Sequence, residues 1–319
     1  MVDPTWCNHS RFDPKVYDGF YESWFLRAND PATSRAVWVR YTFTVPRGRS
    51  SDGVVELWAI AFDGDKRTSA RQAFPARDAF ISLDDLEVSV GEATLSEGLA
   101  NGSAGELSWA LHWSGAQAPA LLLPERLYSG RFPRAKALTT APNAKFHGLF
   151  HAFGQRWVIE QWPGAQAHNW GSEHTERYAW GQVCGFDDHP DAFLECATAR
   201  VRVAGILGPP LTMAVLRVDG EEYSFTGLLQ GARAKSNVRV GEWTFSAESP
   251  AGRLSARLSC PVSSFVALQY PDPPGGARLC LNTKTAACEL SLERDGKDTL
   301  QLRSLRRAAF ELIGYEQPA

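Results

Sequence analysis

The sequence predicts an all-β protein of antiparallel strands, folded as sandwiches or barrels, and three observations carry that prediction. Short runs rich in β-branched and aromatic residues recur through the 319 residues. Turn dipeptides and clusters, among them Asp63-Gly64, Asp219-Gly220, Asp272-Pro273-Pro274-Gly275-Gly276 and Asp295-Gly296, separate those runs. Helical periodicity is nearly absent, and no convincing long helix is visible. Strands of this spacing joined by such turns belong to antiparallel architectures.

Taken in order, residues 36–45 form the first clear strand, closed by Pro46-Arg47-Gly48, and residues 54–62 form the next, closed by Asp63-Gly64. Further strands are predicted over 86–90, 106–113, 146–153 and 156–162. In the second half they fall at 178–186, 193–203, 212–218, 221–225, 239–246, 254–259, 278–281, 288–293, 299–302 and 309–313. A chain of 319 residues is comfortable as two domains that each bury a core. The passage from Pro119 through Arg126, Arg131, Pro133, Arg134 and Lys136 to Pro142 breaks the rhythm and reads as a crossover. The boundary is therefore expected near residue 140, dividing the chain into 1–140 and 141–319.

Composition narrows the function. The net charge of −3 offers no basic surface of the kind nucleic acid requires. No apolar run approaches a membrane span. Met1-Val2-Asp3-Pro4-Thr5-Trp6 has neither a basic nor an apolar leader region, so a cytoplasmic protein is expected. The six cysteines form no Cys-x-x-Cys and stand at no zinc spacing with histidine. They read as buried free thiols, with a Cys280–Cys288 bridge compatible but not required. His147 and His151 share a strand face about 13 Å apart, too far for one metal ion. Nucleotide-binding glycine loops and serine elbows are absent, and no cofactor is expected. The oligomeric state is open.

The richest stretch runs from His168 to Gln182, with two His, two Trp, a Tyr, two Glu and an Arg in fifteen residues. Aromatic faces beside titratable groups suit a pocket that holds an apolar ligand and does acid–base chemistry on it. Elsewhere, Glu22 shares a strand face with Trp24 and Leu26, and Glu160 is expected to share one with Val158 and Trp162. Either Glu could instead be a structural ion-pair partner or an ordinary polar barrel residue. His168 and Asn169 could simply tie a loop. Glu173, His174 and Glu176 also read as a solvated turn, while Trp6, Trp38, Trp58, Trp109 and Trp113 are most simply core or lumen lining.

A family resemblance joins these pieces. Tyr17-Asp18-Gly19-Phe20-Tyr21-Glu22-Ser23-Trp24-Phe25-Leu26-Arg27 resembles the early strand of tocopherol cyclases, with its Phe-Glu-Gly-Trp-Tyr-Phe-Arg pattern. His168-Asn169-Trp170-Gly171 followed by Tyr178-Ala179-Trp180-Gly181-Gln182-Val183 is similar to their Asn-Trp-Gly and Trp-x-Trp-x-Gln elements. Segments 219–225 and 243–248 follow in the same order as similar cyclase strands. His168-Asn169-Trp170 also resembles the His-x-Trp element of carotenoid 1,2-hydratases. Two departures stand out: Ser23 replaces the cyclase Gly, and no clear Tyr-x-Asp follows, although Glu195 falls near that place. With the AttH-like proteins these enzymes form a superfamily of two lipocalin-like β-barrel domains in tandem. The resemblance implies that fold, and His168–Gln182 as the loop and first strand of the second barrel.

It also implies protonation of an isoprenoid-like double bond and capture of the cation by water or an internal hydroxyl. Glu160, His168, Glu22 and Glu195 are the candidate acid–base residues, with His174 behind them. Trp24, Trp162, Trp170, Tyr178, Trp180, Asn169 and Gln182 are the candidate ligand-binding residues, since aromatic faces stabilise a cation. The expected partner is a hydrophobic small molecule, with transient membrane contact as a route for its uptake. The alternative is a non-catalytic lipocalin-like carrier, which needs aromatic walls but no proton-donating carboxyl. A glycosidase built on Glu22 with Glu160 is a distant third reading.

Overall fold

A computed structural model describes residues 4–12, 19–203 and 205–315. It divides the chain into two compact units. One comprises Met1–Ala120, Arg134–His174 and Pro271–Ala277, the other Leu121–Pro133, Thr175–Tyr270 and Arg278–Ala319. Each unit carries one large antiparallel sheet and its own core, so the fold is all-β, as the alternating runs predict.

After the short helix α1 (Pro4–Asn8), the first sheet begins with β1 (Phe20–Asn29), β2 (Arg35–Val45), β3 (Val54–Asp63) and β4 (Lys66–Pro75). It continues with β5 (Ala79–Ile81), β6 (Glu87–Val90), β7 (Ala93–Ser96), β8 (Leu99–Ala104) and β9 (Leu107–Ser114). The two-residue β10 (Ala120–Leu121) precedes the long β11 (Ala135–Ala152) and β12 (Gln155–Gly171). The strand order is β4-β3-β2-β1-β12-β11-β9-β8-β7-β6-β5. β9 shows the expected alternation, burying Leu107, Trp109, Leu111 and Trp113 and turning its other residues outward. The sheet curls over its own core: the Tyr41 hydroxyl donates to the Asn101 carbonyl at 2.6 Å and accepts from Trp109 Nε1 at 2.8 Å. Those bonds tie β2 to β9 and β8, four and five places further along the strand order.

The second sheet contains β13 (Arg177–Cys184), β14 (Phe193–Val203), β15 (Ile206–Val218) and β16 (Glu221–Phe225), then α2 (Leu228–Arg233). After these come β17 (Lys235–Arg239), β18 (Glu242–Ser249), β19 (Gly252–Ser259), β20 (Val266–Pro271), β21 (Ala277–Arg294) and β22 (Lys297–Ile313). Its order is β16-β15-β14-β13-β22-β21-β19-β18-β17, with β20 off that path. At the β15–β16 turn both Asp219 and Gly220 have positive φ, 55° and 80°, the combination a type I′ hairpin demands.

Residue 140, near which the domain boundary was expected, lies inside β11. The β11–β12 hairpin, 18 and 17 residues long, pairs with β1 and β9 and so joins the first sheet. The chain thus passes between the units more than once. The six cysteines are free thiols, five of them buried and Cys260 half-buried. No helix among the described residues is long and apolar enough to cross a membrane.

Candidate active site

The pairing of β1 with β12 builds the site. Trp24 stands opposite His168 and Glu22 opposite Trp170, so strand alternation turns all four side chains toward the same face. That face also carries Leu26 and the first core. Glu22 and His168 are both fully buried, and His168 Nε2 lies 2.8 Å from Glu22 Oε1. The imidazole stacks on the Trp24 indole at a centroid distance of 4.8 Å and 12° between planes. Trp170 lies 4.7 Å away at 36°.

Residues 7–11 close the rest of the site. His168 Nδ1 lies 2.7 Å from the Cys7 carbonyl. The Arg11 backbone N–H donates to Glu22 Oε1 at 2.6 Å, and the Ser10 hydroxyl donates to Glu22 Oε2 at 2.7 Å. The Arg11 guanidinium lies over the rings of Trp6 and Trp170, at 4.2 and 5.1 Å, and donates to the Trp6 carbonyl. Burial pulls its pKa down against the opposing field of Glu22. Asn8 extends the network, accepting from Gln166 Nε2 at 3.0 Å and donating to Glu97 at 2.9 Å.

Hydrogen-bond chemistry fixes where the protons are. A carbonyl only accepts, so His168 Nδ1 carries a proton toward Cys7. The 2.8 Å contact from Nε2 to a carboxyl oxygen needs a second proton between the two atoms. The pair therefore holds one proton more than a neutral imidazole beside a carboxylate. Glu22 accepts from the Ser10 hydroxyl and the Arg11 backbone N–H and faces His168 Nε2, so every side of its carboxyl has a polar partner.

The other sequence candidates fall elsewhere. Glu160 is exposed on β12. The β11–β12 pairing shifts between Phe146↔Trp162 and Gly148↔Ile159, and Gln161 has a φ of 56°. This bulge reverses the alternation, so Val158 and Glu160 face outward while Trp162 turns into the core. The expectation of an inward Glu160 beside Trp162 is corrected on that ground. His168–Gly171 is also not a loop before a second barrel: it is the end of β12, a strand of the first sheet. Asn169 alternates to the opposite face, where it accepts a hydrogen bond from Ser23.

Tyr178, Trp180, Gln182 and Glu195 belong to β13 and β14 of the second unit. Trp180 Nε1 donates to Glu195 Oε1 at 3.1 Å. Beside them the buried Lys284 lies 2.6 Å from Glu311, which also accepts from Asn282 at 2.9 Å. Nothing in the sequence pattern singled out Lys284, Asn282 or Glu311. Cys7, Ser10 and Arg11 were missed because two of their three contributions come from backbone groups. His174 is held aside from this site, its N–H donating to Asp272 and its ring on Tyr21 at 3.9 Å. Among the described residues no group of three or more His, Cys, Asp or Glu could hold a metal ion.

Comparison with known proteins adds family and fold. A family model described as tocopherol cyclase-like matches residues 139–314. The uncharacterized protein Rv0493c of Mycobacterium tuberculosis is 25% identical over 279 residues, spanning 86% of this chain and 82% of its own. Among solved structures, a putative AttH of Nitrosomonas europaea superposes with a TM-score of 0.57 at 12% identity, covering 94% of this chain and 93% of its own. Kievitone hydratase of Nectria haematococca superposes with the same TM-score at 10% identity, covering 94% and 89%. At such identities the structural likeness establishes the shared fold.

Proposed function

The chain belongs to the tocopherol cyclase-like family, and on that premise we propose a hydratase/cyclase-type enzyme acting on an apolar, isoprenoid-like small molecule. It protonates a carbon–carbon double bond and lets water or the ligand's own hydroxyl capture the cation, with no cofactor. The observation that carries this reading is the buried Glu22–His168 pair between two indole faces.

Alkene protonation needs a proton aimed at carbon in a site that stray water does not reach. His168 Nδ1–H, now donated to the Cys7 carbonyl, is the proton in position; Glu22 holds the opposite nitrogen and balances its charge. The ligand's double bond takes the place of the Cys7 carbonyl, so turnover requires residues 7–11 to yield. Transfer from Nδ1 leaves a neutral imidazole and a tertiary cation that the faces of Trp24 and Trp170 stabilise. The attacking hydroxyl then returns its proton to Nδ1, closing the cycle. The tocopherol cyclase family and the hydratase among the fold neighbours support this class of chemistry.

One observation favours a second reading, a non-catalytic binding protein. Residues 7–11 fill the remaining positions around the pair, as a purely structural tie would. Incubation with a panel of isoprenoid alkenes in D2O, read by mass spectrometry, separates the two. An enzyme incorporates deuterium at carbon, and Glu22→Gln and His168→Gln each lower the rate about a hundredfold or more. Unchanged rates in both folded variants would refute the role of the pair. Ligands returned unlabelled by the wild type would establish the binding reading instead.

A further inference from the structure

A cavity of about 660 Å³ in the first unit is lined by Asn8 and His9 together with the β6–β7 hairpin and the residues just before it. Small-molecule sites have volumes of about 300–1,000 Å³. Residues 7 and 8 stand between this cavity and the candidate pair. The Cys7 carbonyl meets His168 Nδ1, and the next residue in the chain, Asn8, lines the cavity. The Asn8 side chain is bonded to both sides. It accepts from Gln166, which lies two residues from His168 on the same strand face, about 7 Å along β12. It donates to Glu97, which lines the cavity.

The lining has an apolar and an acidic part. Leu86, Val88 and Leu95 are buried and belong to the same core cluster as Trp24. Asp84, Asp85, Glu87 and Glu97 are exposed carboxylates around them. Among the described residues no lysine or arginine lines the cavity, and His9 is its sole basic side chain. Arg11, two residues further on, is turned instead to the rings of Trp6 and Trp170. An apolar body gains by covering the three aliphatic side chains. A carboxylate or phosphate head would sit among like charges with no guanidinium or ammonium to pair with. A neutral or positively charged head meets no such penalty.

We propose that this cavity is the chamber from which the Glu22–His168 pair, on the acid–base reading given above, receives its substrate, and that the substrate is an apolar molecule without an anionic group. The body of the molecule lies against Leu86, Val88 and Leu95, and the acidic lining turns away carboxylates and phosphate esters. Asn8 is the partition: when its bonds to Gln166 and Glu97 break and the Cys7 carbonyl leaves His168, the cavity and the pair become one space.

The test uses the full chain and three probes with one hydrocarbon body, geraniol, geranylammonium and geranate, in equilibrium dialysis at low salt. Geraniol and geranylammonium should bind saturably, and geranate at least about tenfold more weakly than geranylammonium, although both pay for dehydrating a charge. Asp84→Asn/Asp85→Asn/Glu87→Gln, which changes exposed side chains alone, should bring the two charged probes within about threefold of each other. Ser96→Trp, on the half-buried lining, should weaken all three about tenfold or more by filling the cavity, while Ser96→Ala keeps them bound and guards against a misfolded variant. Geranate binding as well as geranylammonium would overturn the proposal. So would a gap that survives in the triple variant, or binding unaltered in Ser96→Trp. Deuterium incorporation by Ser96→Trp at the wild-type kcat/KM would overturn the chamber and leave the chemistry of the pair intact. Binding in the expected order by a wild type that leaves no deuterium at carbon would support the cavity as a ligand site and count against the chemistry of the pair alone.

Discussion

Glu22→Gln tests how tightly residues 7–11 are fastened over the candidate site. In the wild type Glu22 takes three hydrogen bonds, from Ser10 Oγ, the Arg11 N–H and His168 Nε2. A glutamine oxygen at the Oε1 position still accepts from Arg11, and Ser10 can rotate to accept from the new amide. His168 cannot adapt in the same way, because its Nδ1 proton is committed to the Cys7 carbonyl. It either keeps a second proton without a counter-charge or loses the bond to residue 22. One charge-assisted bond is thus forfeited, worth about 1.5–3 kcal/mol in a buried setting. A loss of about 2 kcal/mol corresponds to a roughly thirtyfold shift of the opening equilibrium. Native-state hydrogen exchange of the Arg11 amide reads that equilibrium directly, since its acceptor is the substituted side chain. Amides of β14 in the second unit should keep their protection. Exchange at Arg11 within twofold of wild type would refute the reasoning, because the carboxylate would then not hold the segment.

Two further outcomes follow from the geometry. Glu160→Gln, on an exposed site past the bulge, should change stability by less than about 0.5 kcal/mol and leave any turnover untouched, measured by urea unfolding and the deuterium assay; a lost activity would restore Glu160 to the site. Glu56 has a folded pKa above its ordinary value, so the penalty on its charged form is absent below about pH 4.5 and grows as pH rises toward the folded value. Glu56→Gln should therefore raise the melting temperature at pH 8 and have little effect at pH 4, and a destabilised variant at pH 8 would show that its ion pair with Arg71 dominates.

The sequence was most readable where a run of β-branched and aromatic residues is closed by turn residues. Residues 193–203 and 221–225 match β14 and β16 end to end, and β9 alternates as drawn. Lys66–Pro75 escaped notice because β4, at the end of the strand order, is exposed or half-exposed throughout and has no apolar rhythm. Leu99–Ala104 escaped for want of large side chains. β12 was cut short at Trp162, since Pro163-Gly164 imitates a turn, and the bulge at Gln161 was invisible to a period of two. Glu22 beside Trp24 and Leu26 could be placed by alternation alone. Its partnership with His168 could not, because it depends on the register of strands separated by more than a hundred residues, and on backbone groups of a segment without periodicity.

Register explains why the two faces of this sheet stand or fall together. A slip of β12 by one residue against β1 would turn His168 and Trp170 out of the core and set Asn169 beside Glu22 and Trp24. Burial alone does not forbid it, since β1 is buried on both faces. Glycines do. A side chain at Gly164 would strike the Arg27 carbonyl and the Phe146 ring, and one at Gly171 would strike the Arg134 carbonyl. Slipping β12 by one residue would bring the β-carbons of Pro163 or Ala165, and of Trp170, to those crowded positions. The close backbone approach at both ends of Gly164–Gly171 thus fixes the only alignment in which the glutamate meets the histidine. The same alignment sets Ser23 against Asn169 on the other side, so the Ser23–Asn169 hydrogen bond and the acid–base pair are two consequences of one register.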